Sequence, residues 1–196
     1  MRDAAAEETT VVQTDRDIMD GTATIQAAIE TADVGLKHDV FLKTLIHELT
    51  GTLETVVGLE EAAGFINVVG GRMGEQINQS YKRALRVDNL SREQVAHVLV
   101  DLKARIDGRF EIVFQDDEKI VFRNHKCPFG DFAKGRPSLC MMTSNVFGTI
   151  VAENLGYGRV ELSATTANGD THCHVTVYLS PDNNADSGRE YFRAYR

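Results

Sequence analysis

Cysteine is scarce in this chain, with three residues in 196. The odd number argues against a closed disulfide framework. Positive charge is short as well. Lys and Arg number 21 against 29 Asp and Glu, for a net charge of −8, and no basic cluster stands out locally. A protein that grips nucleic-acid phosphates needs a basic stripe, so direct nucleic-acid binding is not expected. No apolar run is long enough to span a bilayer, and no charged-then-apolar segment opens the sequence. Cytoplasm is therefore the default expectation, and there thiols stay reduced and serve more often as metal ligands or reactive groups than as disulfides. Catalytic motifs are missing too. His47-Glu48-Leu49-Thr50-Gly51 begins like a zinc-protease helix but lacks the second histidine. Gly70-Gly71-Arg72-Met73-Gly74 is not followed by a phosphate-binding Gly-Lys-Ser/Thr. No Gly-x-Ser-x-Gly elbow occurs. An enzyme is not expected.

What is present reads as helices first and strands afterwards. Residues 1–22 are acidic, Thr-rich and poor in large apolar groups, and form a lead-in expected to be disordered. A short helix is predicted over 24–33. Apolar residues then recur at helical spacing from Leu36 to Gly58 and from Leu59 to Ala84. Gly70 and Gly74 in the second of these helices point to close helix packing. Ser91 and Gln94 have the spacing of a capping box and start a helix ending near Asp107-Gly108. Strands are predicted over 110–114 and 119–122, with Gln115–Glu118 as a solvated turn, then a helix over 138–155. Two more strands, 159–165 and 171–179, join through a hairpin turn at Ala167–Asp170. The prediction is a single α+β domain over 23–180, with N-terminal helices packed on a small antiparallel sheet and a cysteine-bearing loop and helix in the second half. Residues 181–196 read as a polar tail whose Tyr191, Phe192 and Tyr195 dock on the body or on a partner. The two long apolar helices are the candidate surface for a homodimer.

Each cysteine borders a turn or an element end, where side chains from separate segments can meet. Cys127 opens a Cys-Pro-Phe-Gly turn and is biased toward extended backbone by Pro128. Cys140 falls in the first turn of the helix opened by Pro137-Ser138, where the helix dipole favours a thiolate. Cys173 lies in a late strand past Gly169-Asp170. Thiolates gathered from separate segments are the ligand set of zinc and of iron–sulfur clusters, so Cys127, Cys140 and Cys173 are candidate ligands for either. For a fourth position, strand alternation turns His172 and His174 away from Cys173, whereas His125 shares a face with Cys127. His125 is the protein candidate; water, an acidic side chain or an exchangeable signal molecule are the alternatives. Against the metal stand two other readings: three cysteines as small apolar core residues, and a reactive thiolate at Cys140.

Asn124, Cys127-Pro128-Phe129, Pro137-Ser138-Leu139-Cys140, Gly148 and Gly169-Asp170 followed by Cys173-His174-Val175 carry a family resemblance. From Asp107 to Leu179 they resemble the iron–sulfur C-terminal sensory region of certain helix-turn-helix regulators. Together with the preceding helices and Gly70–Gly74, the stretch from Leu36 to Leu179 is similar to the methanogen output domain family and, more distantly, to the small-molecule-binding vinyl-reductase (4-vinyl reductase) domains. The further cysteine that those regulators carry before the last one has no counterpart around Glu153–Leu155, and their DNA-binding module has none in the helices. The resemblance implies a signal-sensing domain of transcription regulation, with a metal or iron–sulfur centre, that responds to a redox or small-molecule signal and acts through a regulatory protein partner. The alternative it implies is a module for a hydrophobic ligand or a protein partner, with structural zinc or inert cysteines.

Overall fold

Apolar periodicity between Leu36 and Ala84 resolves into two consecutive long helices in the computed structural model, which describes residues 24–182 and 186–194. The predicted lead-in and Tyr195 lie outside the described residues. The chain divides into two compact units, one ending at Phe41 and the other running from Leu42. Helix α1 covers 24–31. Helix α2 (His38–Val57) ends at Gly58, whose φ of 84° breaks the helix before α3 (Leu59–Leu85) begins. Helix α4 (Arg92–Arg105) carries the predicted capping box. The Gln94 amide donates to Ser91 Oγ at 3.2 Å, and the Ser91 amide donates to Gln94 Oε1 at 2.8 Å.

The second half builds a five-stranded antiparallel sheet in the order β1-β2-β4-β3-β5. Strand β1 (Arg109–Gln115) turns into β2 (Lys119–Lys126), with Asp116 Oδ1 accepting from the amides of Glu118 and Lys119 at 2.9 and 2.8 Å. That is the solvated turn expected there. Strand β2 runs four residues past its predicted end at Phe122, because pairing with β1 continues to Lys126. Helix α5 (Pro137–Leu155) is followed by β3 (Tyr157–Ala164), a short 3₁₀ turn (Thr166–Asn168) and β4 (His174–Tyr178). The polar tail holds a fifth strand, β5 (Arg189–Phe192), on the edge of β3. Its short length and polar neighbours hid it from the sequence pattern.

Helix α5 is the central element. On one side Gly70 and Gly74 of α3 press against it: a Cβ on Gly70 would stand 2.5 Å from Asn145 Cβ, and one on Gly74 would stand 2.9 Å from Thr149 Cβ. These glycines serve close packing, as the sequence predicts. On the other side Phe147, Ile150 and Val151 face the sheet residues Phe110, Ile120, Phe122, Val160, Val175 and Val177. Phe147 meets Phe110 and Phe122 edge-on, with centroids 5.9 and 5.5 Å apart. Gly148 leaves room for the Tyr191 ring of β5, and the Tyr191 hydroxyl bonds Ser144 Oγ and Asn145 Oδ1 at 2.8 and 2.7 Å. Asn154 is satisfied between helices: its amide nitrogen donates to Asn78 Oδ1 at 2.8 Å, and its oxygen accepts from the Leu90 amide at 2.9 Å. By contrast Leu45, Leu49, Phe65, Val68 and Met73 of α2 and α3 remain exposed. Among the described residues no helix is long and apolar enough to cross a membrane.

Candidate functional site

Cys127 follows the end of β2, Cys140 lies in the first turn of α5, and Cys173 immediately precedes β4. Cys127 follows β2 and is half-buried; its carbonyl accepts from the Gly130 amide at 3.0 Å, closing the predicted turn. Pro128 lies so close to Gly108 that a Cβ there would be 2.8 Å from Pro128 Cγ. Cys140 occupies the first turn of α5, half-buried. Cys173 is buried and immediately precedes β4, rather than lying within a strand. Its backbone is tied to Asn124: the Asn124 amide donates to the Cys173 carbonyl at 3.1 Å, and the Cys173 amide donates to Asn124 Oδ1.

A single turn serves two of the sulfurs. Cys173 Sγ accepts from the Thr166 amide at 3.5 Å and lies 3.8 Å from the Thr166 hydroxyl. Ala167 and Thr165 of the same turn act on Cys140 to favour its thiolate form. Asp170 clamps this turn, its Oδ2 accepting from the Thr165 amide at 2.7 Å, while Gly169 takes the left-handed backbone with φ 96°. The Gly169-Asp170 pair read in the sequence as a hairpin turn thus shapes the donors around the thiols.

A buried cation also lies in this part of the fold, on a helix position that in isolation suggests solvent. Lys103 of α4 is only 4% exposed. Its Nζ donates to Thr143 Oγ1 at 2.8 Å and sits over the Phe110 and Phe147 rings at 5.4 and 5.3 Å. Burial pushes its pKa from 10.5 down to about 8, opposed by the negative charge available on Cys127, Cys173 and Cys140. Those three thiols are the charges that act on it; no carboxylate is among them. A sequence signal existed. Lys103 falls four residues after Leu99 and eight after Val95, in phase with the buried stripe of α4.

Cys140 does not behave as a helix-start thiolate. Burial first, then the nearby Cys173, push its pKa up to about 11, against the bonds from Ala167 and Thr165. Desolvation outweighs the dipole here, so the isolated thiol stays protonated at neutral pH.

His125 Nε2 lies 2.9 Å from Glu111 Oε1, with its side chain partly exposed. His172 Nδ1 lies 3.0 Å from the Thr171 hydroxyl. Among the described residues no three His, Cys, Asp or Glu side chains are already gathered as a metal-ligand group. Cys173 Sγ has a backbone amide donor, and the buried Lys103 has no carboxylate acting on it.

The cysteine loop is latched to α2. His47 Nδ1 donates to the Phe132 carbonyl at 2.8 Å, Arg136 Nε donates to the His47 carbonyl at 3.3 Å, and the Ser138 amide donates to Glu54 Oε1 at 3.3 Å. Gly51 lets the Arg136 guanidinium lie against the helix. The half-motif at His47 therefore has a structural task. Elsewhere a cleft of about 540 Å³ opens between α3 and α4, lined by Ile77, Tyr81, Leu102, Arg105 and Ile106. The Tyr81 hydroxyl donates to Asp101 Oδ2 at 2.5 Å beside it.

The family model for methanogen output domain 1 matches residues 45–178. The phenol-responsive sensory domain of the transcription activator PoxR, crystallised with phenol, has a similar fold: TM-score 0.55 at 16% identity, covering 73% of this chain and 75% of that one. A trafficking protein particle complex subunit 3 from Naegleria fowleri, covalently bound to palmitic acid, gives TM-score 0.49 at 12% identity over 79% of this chain and 99% of that one. Comparison with curated protein sequences returns no match.

Proposed function

The chain belongs to the methanogen output domain 1 family, and we propose that it is a non-catalytic, cytoplasmic signal-sensing domain that reports through a regulatory protein partner. Its sensing element in this reading is a metal or iron–sulfur centre on Cys127, Cys140 and Cys173, with His125 as the protein candidate for a fourth ligand. The observation that carries the reading is the turn after β3, whose Thr166 amide donates to Cys173 Sγ at 3.5 Å and whose Ala167 and Thr165 act on Cys140. Near these thiols the buried Lys103 ammonium bonds Thr143, and no carboxylate acts on it. The fold shared with the PoxR domain supports a sensory role. Zinc would cross-link the loop structurally, and an iron–sulfur centre would add sensitivity to oxidants or nitric oxide.

This chain's own residues suggest how a change at the thiols travels. Cys127 and Cys140 bracket the loop that His47, Arg136 and Glu54 fasten to α2. Loosening the loop frees α2, whose apolar face with that of α3 is exposed for a second copy or a partner. The test is metal content across single Cys→Ala variants. Each of Cys127→Ala, Cys140→Ala and Cys173→Ala is expected to lose bound metal while retaining helical circular dichroism; variants that keep full metal content would reject these ligands.

A second reading has its own observation, the cleft at Tyr81. Its apolar lining with Arg105 and Tyr81 at the rim suits a hydrophobic small molecule with one polar end. Under that reading the thiols are structural, and a ligand such as phenol would raise the unfolding temperature without any metal present, a rise that Tyr81→Ala would abolish.

A further inference from the structure

Cations gather at one end of this acidic molecule. Lys82 and Arg83 lie in the last turn of α3, Arg86 follows as its cap, and Arg193 joins them from just beyond β5. They line a pocket of about 670 Å³, together with the carboxylates of Asp88 and Glu153. Basic side chains at a helix C-terminus offset its dipole, and that task accounts for part of the charge. Helices α3 and α5 both end here, so their C-termini contribute about one negative charge between them. Added to the two carboxylates, that still leaves the four cations of the pocket in excess by about one unit. Glu153 Oε1 already accepts from the Ala194 amide at 3.1 Å. Among the described residues no ion pair ties Lys82, Arg83, Arg86 or Arg193 to a carboxylate.

We propose that this pocket binds a small phosphorylated molecule, with its phosphate groups on Lys82, Arg83, Arg86 and Arg193 and its organic part against Val87 and Ala194. The volume is in the range of small-molecule sites, and guanidinium forks match phosphate oxygens in pairs. The cations are held in place by the fold. Arg193 Nη2 donates to the Asn154 carbonyl at 2.7 Å, and its backbone amide donates to the Gly156 carbonyl at 3.2 Å. Arg83 Nη2 donates to Ser80 Oγ at 3.3 Å, and Lys82 Nζ reaches Asn89 Oδ1 at 3.5 Å. A guanidinium has five N–H donors, so these bonds leave most of them for a ligand. Arg86 takes the left-handed backbone, with φ 56°, and that turn brings Val87, Asp88 and Asn89 round to line the same pocket. The site shares no lining residue with the cleft at Tyr81 and is independent of the thiols. It does reach the core. Asn154, whose carbonyl holds Arg193, bonds Asn78 of α3 and the Leu90 amide through its side chain. An anion held by Arg193 and by the end of α3 therefore ties β5, α5 and α3 together at one point.

The test is calorimetric titration of the full chain with inorganic pyrophosphate, with adenosine diphosphate and, as a chain of carboxylates, with hexaglutamate. Both phosphates are expected to bind, the nucleotide no more weakly than pyrophosphate, and hexaglutamate is expected not to. Failure of both phosphates to bind at millimolar concentration would overturn the proposal. Hexaglutamate binding as tightly as pyrophosphate would replace the phosphate ligand by an acidic peptide and overturn it too. The double substitution Arg83→Gln with Arg86→Gln is expected to weaken pyrophosphate binding by roughly 10–100-fold. Arg72→Gln, which removes an exposed cation of α3 outside the pocket, is expected to leave it unchanged. An equal loss in both proteins would mean general attraction between charges and no site. A further measurement needs no variant: amide exchange over 153–156 and 189–193 is expected to slow when pyrophosphate binds. Unchanged exchange there under saturating pyrophosphate would place the anion elsewhere and refute the assignment.

Discussion

Replacing Lys103 by Met in the metal-free protein tests whether a charge is truly buried among the thiols. Each pKa unit corresponds to about 1.4 kcal/mol. A drop from 10.5 to about 8 therefore makes the ammonium about 3 kcal/mol worse placed in the fold than in the unfolded chain. Below pH 8 both states hold the proton and the penalty is felt in full. Between pH 8 and 10.5 the folded protein releases its proton first, so the unfolded chain binds more protons and stability rises with pH. The Met variant lacks this term and also loses the bond to Thr143, worth about 1.5–3 kcal/mol for a charged donor. At pH 7 it should be as stable as the parent or about 1 kcal/mol more so. From pH 7 to pH 9 the parent should gain about 1 kcal/mol on the variant, a relative shift of about 2–4 °C in Tm for a chain of this size. Groups that do not interact with Lys103 are common to both proteins and cancel, and burial holds the Cys140 thiol protonated across this range. Thermal unfolding in chelator and reductant at pH 7, 8 and 9 reads the effect. A stability difference that stays flat across that range would refute a buried, titrating Lys103.

Gly70→Ala should cost about 1–3 kcal/mol by overpacking, because its Cβ would meet Asn145, whereas Gly71→Ala, with its nearest neighbour at 4.0 Å, should be neutral or stabilising; urea unfolding of the pair separates packing from helix propensity. Ser91→Ala should lose about 1 kcal/mol through the capping box, seen as a lower urea midpoint with an unchanged slope. His47→Ala should unlatch the cysteine loop from α2, and amide exchange over 127–136 should rise while exchange over 143–152 does not. Equal protection in both proteins would remove His47 from the route between the thiols and the helices.

The helices were legible because their apolar residues recur without interruption, and the capping box at Ser91 marked a start to the residue. Gly70 and Gly74 announced close packing because helix propensity alone does not select them. Strand β5 was not legible. Four residues between polar stretches carry no usable alternation, and the strand exists because Gly148 leaves a seat for Tyr191 on α5. The 3₁₀ turn at Thr166 was read as a plain hairpin, since its purpose depends on two sulfurs distant in sequence. The cysteines drew notice as rare residues at element ends. Lys103 escaped because a lysine on a helix reads as solvent-facing until its phase against Val95 and Leu99 is counted. The dipole argument for Cys140 failed for a related reason: burial, invisible in the sequence, outweighs the field of the helix.

The most direct test of the account is metal and acid-labile sulfide analysis, with an absorption spectrum, on the full chain purified without oxygen. The account predicts stoichiometric metal, either zinc without colour or iron with sulfide and a visible charge-transfer band. No bound metal, before or after anaerobic reconstitution with zinc and with iron and sulfide, would contradict it.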